Sequence, residues 1–596
     1  MPTDVSVVRP SQFIGEYSAT PLKLLGTNGG AGIESQFTES MNQGLFTTDP
    51  GYSKFVANVA KGWDLAEDGK SLTIYFREGM KWSDGDDFTA NDIVFWHKEV
   101  LQNEDLGFPV PERYSPGGEL MGLEKIDDYT VKFTFSIPYF RSIEVFARDE
   151  DILIAPEHFI KRYMPSYSDG AEALAKSEGY GSWQLAVQAH ANTTAQMGFT
   201  KDPLLPTLNP WVLEDISSTS SLWVRNPFYW RVDTSGNQLP YADSLLIQLT
   251  DKRETTGPIK TLAGELDFTD YTGLALTDYP VLKAGEAKGG YTVSLWPRAD
   301  QSHAMGFALN YTHSDPYTNK IFNDVKFRQA LSLGLDRDEI SENVFFGLVE
   351  PYTAPMSPLW SGYEDWMGTY FAEHDVERAN KLLDEMGIAW DANNTWRIRP
   401  DGERIIITGT WATEWLPYSQ DVFDLMSLQW KDIGIDFQSK FVEEAALQTL
   451  FVANQTDVGL SNSDGGSEFL ARGDYPIRLM PPWHWGDADC CAMAAYEWRT
   501  WLDSDGDTGI EPPADVKRIY ELVTLWQNEP YGTEDYVAYI NEILNINVKN
   551  LYYVGTVSSP PAVYAVSNNL MNAPREGVFG PWGEVPYMLD TWYVKE

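Results

Sequence analysis

The stretch Trp63–Trp96 reads WDLAEDGKSLTIYFREGMKWSDGDDFTANDIVFW, and its local pattern decides the fold that we predict. Asp68-Gly69-Lys70 is a turn signal, because aspartate and glycine favour the backbone angles of tight turns. From Leu72 to Arg77, residues of apolar and polar character alternate, which is typical of a strand with one buried face. We therefore predict a tight turn that leads into a half-buried strand.

A second turn and a helix start follow in the same stretch. Trp82-Ser83-Asp84-Gly85 has the composition of a turn. Thr89 is then placed to cap a helix N-terminus, and Asp92, three residues later, fills the acidic position of a capping box. Apolar residues from Ile93 onward begin one face of that helix. A hairpin, a turn and a capped helix together indicate a small α/β subdomain.

The order of these residues resembles the signature of the family 5 extracellular solute-binding proteins, the large dipeptide- and oligopeptide-binding type of receptor for ABC importers. The residues that carry the resemblance are Trp63, Asp68-Gly69, Arg77-Glu78-Gly79, Trp82-Ser83-Asp84-Gly85 and Thr89-Ala90-Asn91-Asp92-Ile93. Further stretches that resemble the family are Asn226–Tyr241, Ala263–Asp267, Phe307–Asn310, Lys326–Arg337 and Leu428–Ile435.

The resemblance implies an α/β fold of the large periplasmic-binding-protein type, with two lobes, an extra inserted subdomain and a ligand cleft between the lobes. We place lobe one at residues 1–48, 201–301 and 541–596, the inserted subdomain at 49–200, and lobe two at 302–540. The chain then crosses between the lobes twice, and two crossings form a hinge around which a cleft closes. A chain of 596 residues is long enough to hold these several cores.

The composition and charge of the chain argue against some classes of binding partner. The net charge is −43, from 44 basic and 87 acidic residues, so the surface repels nucleic acid and anionic lipid. No apolar run approaches the roughly 18 residues that span a bilayer. Met1–Asp4 lacks the basic and apolar regions of a secretory signal. We expect a monomer that acts in the periplasm or outside the cell near the membrane, as the resemblance implies.

Catalytic and metal-binding motifs are missing from the sequence. None of the seven histidines belongs to a His-Glu-x-x-His motif, and no Gly-x-Ser-x-Gly elbow occurs. Asp503–Gly509 is rich in aspartate like a calcium loop, but Thr508 and Ala514 stand where that loop needs glycine and glutamate. We interpret it as a polar surface turn, with calcium binding as the alternative. We predict no catalytic residue, no metal site and no cofactor.

Candidate ligand-binding residues of lobe two follow a predicted strand. Ile405–Ile407 is interpreted as a buried strand that ends at Thr408–Thr410 and leads to Trp411 and Trp415. Ligands of α/β lobes bind at strand ends, so we predict Trp411 as a first stacking platform and Trp415 as a second. For both rings the alternative interpretation is packing within the lobe.

A second strand, ending near Ser461, leads into a polar loop that contains Asn462 and Asp464. Peptide-binding relatives carry at the end of this segment an aspartate that pairs with the amino terminus of the peptide, and Gly466 stands at that position here. Hydroxyl, amide and carboxylate groups suit the hydroxyls of a neutral sugar. We therefore predict that Ser461, Asn462 and Asp464 contact the ligand.

Two further loops contribute candidates. Trp483 and Trp485 follow two prolines and are spaced for a rigid loop that presents rings, with packing on their own lobe as the alternative. Asn28 and Gly29 belong to a polar, glycine-rich loop of lobe one that allows a ligand to approach the backbone, with a plain connecting turn as the alternative.

We therefore predict a non-catalytic receptor that binds an oligosaccharide and delivers it to an ABC permease by closing its lobes around the ligand. The longer, Trp-rich members of the family resemble those that bind oligosaccharides, and this chain has 22 tryptophans. The alternative ligand is an oligopeptide or a cationic nitrogen compound. A glycoside hydrolase is the remote alternative, because no carboxylate pair stands out in so acidic a chain.

Overall fold

The chain divides into two compact units, which are Met1–Trp296 with Ala562–Glu596, and Pro297–Pro561. The computed structural model describes residues 2–28, 33–34, 41, 44–49, 54–108, 110–148, 153, 155–191, 202–299, 301–412, 418–461, 468, 494–580 and 587–595. The predicted boundary at 540/541 falls inside the helix Glu534–Asn550, which packs on Ala514–Gln527 of the second unit. The chain leaves that unit only at Pro561, because the apolar face of the helix is buried there.

The strands are short and distributed over both units; β1–β15 and β23–β25 belong to the first unit and β16–β22 to the second. In chain order they are β1 (Ser6–Val8), β2 (Leu22–Asn28), β3 (Ile33–Glu34), β4 (Phe46–Thr48), β5 (Phe55–Ala57), β6 (Gly62–Leu65), β7 (Ser71–Tyr75), β8 (Gly122–Asp127), β9 (Thr130–Thr134), β10 (Trp211–Ile216), β11 (Ser220–Arg225), β12 (Arg231–Asp233), β13 (Ser244–Leu249), β14 (Phe268–Thr269), β15 (Tyr291–Trp296), β16 (Gly306–Leu309), β17 (Ala389–Trp390), β18 (Arg397–Ile398), β19 (Ile406–Ala412), β20 (Asp436–Val442), β21 (Val458–Ser461), β22 (Val554–Gly555), β23 (Ala562–Ser567), β24 (Leu570–Met571) and β25 (Tyr593–Val594).

Within the described residues, the helices of the first unit are α1–α7, and those of the second are α8–α17. In chain order they are α1 (Ala90–Phe95), α2 (Ser142–Arg148), α3 (Glu157–Ile160), α4 (Ala171–Ser177), α5 (Trp183–His190), α6 (Arg253–Ala263), α7 (Tyr279–Gly289), α8 (Pro316–Phe322), α9 (Val325–Leu333), α10 (Arg337–Phe345), α11 (Asp365–Thr369), α12 (Val376–Glu385), α13 (Ser419–Lys431), α14 (Glu444–Val452), α15 (Tyr496–Asp503), α16 (Ala514–Gln527) and α17 (Glu534–Asn550).

The stretch that opened the sequence argument folds as its pattern predicts. Strand β7 alternates between buried and half-buried residues and pairs with β6 in a sheet of order β6-β7-β9-β8. The turn between β6 and β7 contains Gly69 at φ +66°, a left-handed angle that glycine adopts without strain. Thr89 caps α1, and Asp92 completes the capping box by accepting the Thr89 N–H. These local predictions are confirmed.

The first unit also holds a five-stranded and a three-stranded sheet. One has the order β10-β11-β13-β2-β3, in which β13 and β2 run parallel, and the other has the order β14-β23-β15. Trp211, Trp296 and Trp592 are buried in the core between these elements. Strand β23 comes from the C-terminal segment, so the two chain segments of this unit form one continuous core.

The second unit combines strand pairs with helices. Strands β21, β16 and β22 form an antiparallel sheet, while β19 and β20 form a parallel pair. A separate core lies where α16 and α17 pack together, and it includes Trp360 and Trp526. Asp503 ends helix α15 and is followed by turns with Asp505 and Gly506 at positive φ, which agrees with the predicted polar turn.

Candidate functional site

Strand β19 is longer than the sequence predicted. It pairs in parallel with β20 from Ile406 opposite Asp436 to Ala412 opposite Val442. The prediction that the strand ends at Thr408–Thr410 is wrong, because the parallel pairing with β20 continues through Trp411 and Ala412. Within the predicted buried run, Ile407 is buried while Ile406 is 39% exposed.

Trp411 lies inside this strand and not in a loop beyond it. Its side chain is 2% exposed, and its ring meets the ring of Phe423 on α13 edge-on, with centroids 6.5 Å apart. This is the arrangement that the packing alternative expected. The role of Trp411 as a ligand platform stays a prediction.

Asp457 connects β19 to β21. One oxygen of its carboxylate accepts the backbone N–H of Thr408 at 2.7 Å, and the other accepts Nε2–H of His313 at 3.1 Å. The ring of His313 is itself oriented, because its Nδ1 accepts the N–H of Asp315 at 3.0 Å. Asp457 directly precedes β21 (Val458–Ser461), and β21 lies beside β19.

The other candidates lie at strand ends or outside the described residues. Ser461 is the last residue of β21, and its backbone pairs with Gly306 of β16. Asn28 is the last residue of β2 and pairs with Ile33, so this part of the predicted polar loop is strand. For Asn28 and Ser461 the backbone alone is described. Gly29, Trp415, Asn462, Asp464, Trp483 and Trp485 lie outside the described residues.

A buried carboxylate, that of Asp270, lines a small cavity beside Leu24 and Leu25 of β2 in the first unit. Asp270 accepts hydrogen bonds from the backbone and hydroxyl groups of Thr272, and Arg253 donates to the same hydroxyl at 3.2 Å. Burial raises the pKa of Asp270, an effect that the positive charge of Arg253 opposes. The adjoining cavity has a volume of about 10 Å³ and is lined in part by Leu25. That volume holds a water molecule and no sugar ring.

Two units that mix helices and strands, joined by two chain crossings, agree with the architecture that the resemblance implied. The sequence matches the family model of the bacterial extracellular solute-binding proteins, family 5, over residues 54–478. The chain belongs to this family. Among the described residues, no helix combines the length and apolar character that crossing a bilayer requires.

Characterised relatives differ in what they bind. The chain is 28% identical over 389 residues to the periplasmic alpha-galactoside-binding protein of Rhizobium meliloti, which covers 61% of this chain and 50% of that protein. It is 26% identical over 385 residues to the periplasmic oligopeptide-binding protein OppA of Escherichia coli, covering 60% of this chain and 59% of that protein. The matches thus span half to three-fifths of these relatives.

Solved structures share the fold. An oligopeptide-binding protein OppA has a TM-score of 0.79 and 28% identity, covering 100% of this chain and 93% of its own. The periplasmic binding protein MelB of Agrobacterium fabrum C58, solved with stachyose, has a TM-score of 0.66 and 19% identity, covering 100% and 86%. The predicted fold class is confirmed. The family and these structures are binding proteins and not enzymes, which confirms the prediction of a non-catalytic chain.

Proposed function

We propose that this chain is an extracytoplasmic receptor that binds a neutral oligosaccharide and presents it to the permease of an ABC importer. The observation that carries the proposal is the likeness to an alpha-galactoside-binding protein, at 28% identity over 389 residues. The ligand stays chemically unchanged. Binding shifts the equilibrium between an open and a closed form, and the closed form docks on the permease.

The chemistry of the candidate loops supports a neutral ligand. Ser461, Asn462 and Asp464 offer a hydroxyl, an amide and a carboxylate, which together donate to and accept from sugar hydroxyls. Gly466 supplies no carboxylate for the amino terminus of a peptide. The net charge of −43 disfavours an anionic ligand.

An oligopeptide is the second candidate, and a specific observation favours it. The structure of an oligopeptide-binding protein OppA matches over the whole of this chain with a TM-score of 0.79. In this case Asp464, two positions before Gly466, replaces the missing carboxylate and pairs with the amino terminus. The two candidates therefore differ in the charge that Asp464 faces.

A thermal-shift screen separates the candidates. Raffinose and stachyose are tested against maltotetraose and against di- to pentapeptides on the full chain. A ligand that binds only the folded state stabilises it by about 2.7 kcal/mol at 100 times its Kd, so a cognate ligand raises the melting temperature clearly. We expect a rise with the galactosides. A rise with peptides and with none of the sugars would replace the oligosaccharide by the peptide.

Asp464→Asn tests the same choice at one residue. For a neutral sugar, the amide keeps hydrogen-bonding capacity, and we expect a loss of affinity of no more than about tenfold, or roughly 1.4 kcal/mol. For a peptide, the amide removes the ion pair with the amino terminus, and the loss is larger and depends on salt. Titration calorimetry at two salt concentrations measures the loss of affinity and its dependence on salt.

A further inference from the structure

Three metal-ligating side chains meet on the surface of the first unit, and none of them is among the candidate ligand-binding residues. Asp84 and Asp86 belong to the turn after Trp82, and His158 lies on α3. Nε2–H of His158 donates to Oδ2 of Asp84 at 2.7 Å and lies 3.4 Å from Oδ2 of Asp86. One ligating atom from each of the three residues lies within 4.8 Å of the other two.

A buried framework holds the two segments in this position. The carboxylate of Asp92 is buried, and one of its oxygens accepts Nε1–H of Trp82 at 3.2 Å and the backbone N–H of Glu157 at 3.0 Å. The same carboxylate thus fixes the residue before the turn and the first residue of α3. Ser83 adds two hydrogen bonds of 3.0 Å to Thr207. The meeting of the turn with His158 is therefore set by backbone and buried contacts.

The charges of the cluster are unbalanced. In the described part of the chain, the ion-pair partner of both Asp84 and Asp86 is His158. The nearby Lys81 is engaged with Asp87 at 2.6 Å. One imidazole balances at most one of two carboxylates, and only when it is protonated. A divalent cation balances both with a neutral imidazole.

We propose that Asp84, Asp86 and His158 bind one divalent transition-metal ion, with Zn²⁺ as the typical case. Nitrogen and carboxylate ligands at about 2.0–2.2 Å from zinc place their ligating atoms roughly 3.4 Å apart in a tetrahedron. Nε2 of His158 lies 3.4 Å from Asp86, and its hydrogen-bonded distance of 2.7 Å to Asp84 lengthens when the ion replaces the proton between them. The imidazole disfavours Ca²⁺ and Mg²⁺, which prefer oxygen ligands. Water completes the coordination. The ion joins the turn to α3 and has no part in ligand binding.

The test uses the full chain after treatment with EDTA and passage over a desalting column. Titration with Zn²⁺ is followed by calorimetry, and titration with Co²⁺ by its visible absorption. We expect one Zn²⁺ per chain, and an affinity that falls as the pH is lowered, because the imidazole must lose its proton. His158→Gln and Asp86→Asn each weaken binding by at least about tenfold.

A matched control is His374→Gln. Nδ1 of His374 lies 3.2 Å from Oδ2 of Asp336, in an ion pair of similar exposure that has one carboxylate. We expect this variant to bind Zn²⁺ like the natural sequence. Equal loss in His158→Gln and His374→Gln, unchanged binding in His158→Gln and Asp86→Asn, or Ca²⁺ binding in place of Zn²⁺ would each overturn the proposal.

Loss of metal binding in these variants can be distinguished from loss of folding. The side chain of Asp86 is 62% exposed, so Asp86→Asn folds even if His158→Gln loses stability, and a thermal melt checks both. The site rests on residues of the first unit alone and is independent of the ligand class. A failed sugar screen therefore leaves this proposal intact, and absent metal binding leaves the receptor proposal intact.

Discussion

For Trp411, burial of the ring indicates a role in the core of the unit, where the sequence predicted a stacking platform for the ligand. Its ring is 2% exposed and packs on Phe423. Truncating a buried tryptophan removes apolar contacts and leaves a cavity, so we expect Trp411→Ala to lower the free energy of unfolding of the unliganded protein by about 3–5 kcal/mol. Urea unfolding measures it. The half-buried Trp366 is the control, and Trp366→Ala should cost less. An unchanged unliganded protein with weakened sugar binding would restore Trp411 as a platform.

Asp92 is a buried carboxylate with three N–H donors. They are the N–H groups of Thr89 and Glu157 and the indole of Trp82. Burial outweighs these donors and raises the pKa of Asp92 to about 6. Because the folded-state pKa exceeds the unfolded value, the stability that Asp92 adds is full below pH 3.8 and is lost as the pH rises through 6.

The prediction for Asp92 compares the natural chain with Asp92→Asn at pH 5 and pH 7. The amide turns a donor toward the Thr89 N–H, and we expect a cost of about 1–3 kcal/mol. The natural chain gains about 1 kcal/mol relative to the variant between pH 7 and pH 5, because its carboxyl becomes protonated. Urea unfolding at both pH values gives this difference. A difference that is independent of pH would contradict the raised pKa.

At the scale of elements, Arg337 joins three parts of the second unit. Its buried guanidinium donates to the carbonyls of Ser332 at 2.8 Å, Ala372 at 3.2 Å and Gly555 at 3.0 Å. Burial lowers its pKa to about 9. Lysine reaches fewer of these acceptors, so we expect Arg337→Lys to lower the free energy of unfolding by about 3–5 kcal/mol, measured by urea unfolding.

The control is the exposed Arg378, which pairs with Glu373. Arg378→Lys should lower the free energy of unfolding by less than about 1 kcal/mol. Equal costs would contradict the role of Arg337.

Asp457 is the second connection between elements. Asp457→Ala leaves the Thr408 N–H without its acceptor, and we expect a cost of about 1–3 kcal/mol. Since β19 and β21 carry the candidate loops, the affinity for the cognate ligand should fall as well. Asp436→Ala, at the start of β20, removes a partly exposed partner of Arg404 and should cost less than about 1 kcal/mol. Urea unfolding and calorimetry compare the two, and similar effects would contradict this connection.

The separation in sequence between two contacting residues decides whether their contact could be predicted from the sequence. The turn at Gly69 and the capping box of Thr89 and Asp92 use neighbours within a few residues, and both were predicted. The end of β19 depends on pairing with β20, and the bond from Thr408 reaches Asp457, which is 49 residues away. His158 is 74 residues from Asp84. Local patterns carry no signal for such contacts, so the meeting of Asp84 and Asp86 with His158 and the true end of β19 were missed.

At the scale of the whole molecule, charge repulsion opposes the folded state. The net charge is −43. Salt shortens the Debye length from about 30 Å at 0.01 M to about 8 Å at 0.15 M, so repulsion between distant carboxylates weakens. We expect the melting temperature of the unliganded chain to rise between 10 and 150 mM NaCl, on the order of a few degrees. The same ionic strength in Na₂SO₄ checks for anion-specific effects, and a falling melting temperature would contradict the prediction.

The order of β14, β23 and β15 has a consequence for folding during synthesis of the chain. Strand β23 (Ala562–Ser567) lies between β15, which begins 271 residues earlier, and β14, which begins 294 residues earlier. During synthesis, the sheet therefore lacks its central strand until β23 has been made. The whole second unit is made before β23. Synthesis of β23, and not completion of the residues before Pro297, is the event that allows this sheet to close. A product truncated before Ala562 would keep both flanking strands and expose their unpaired edges.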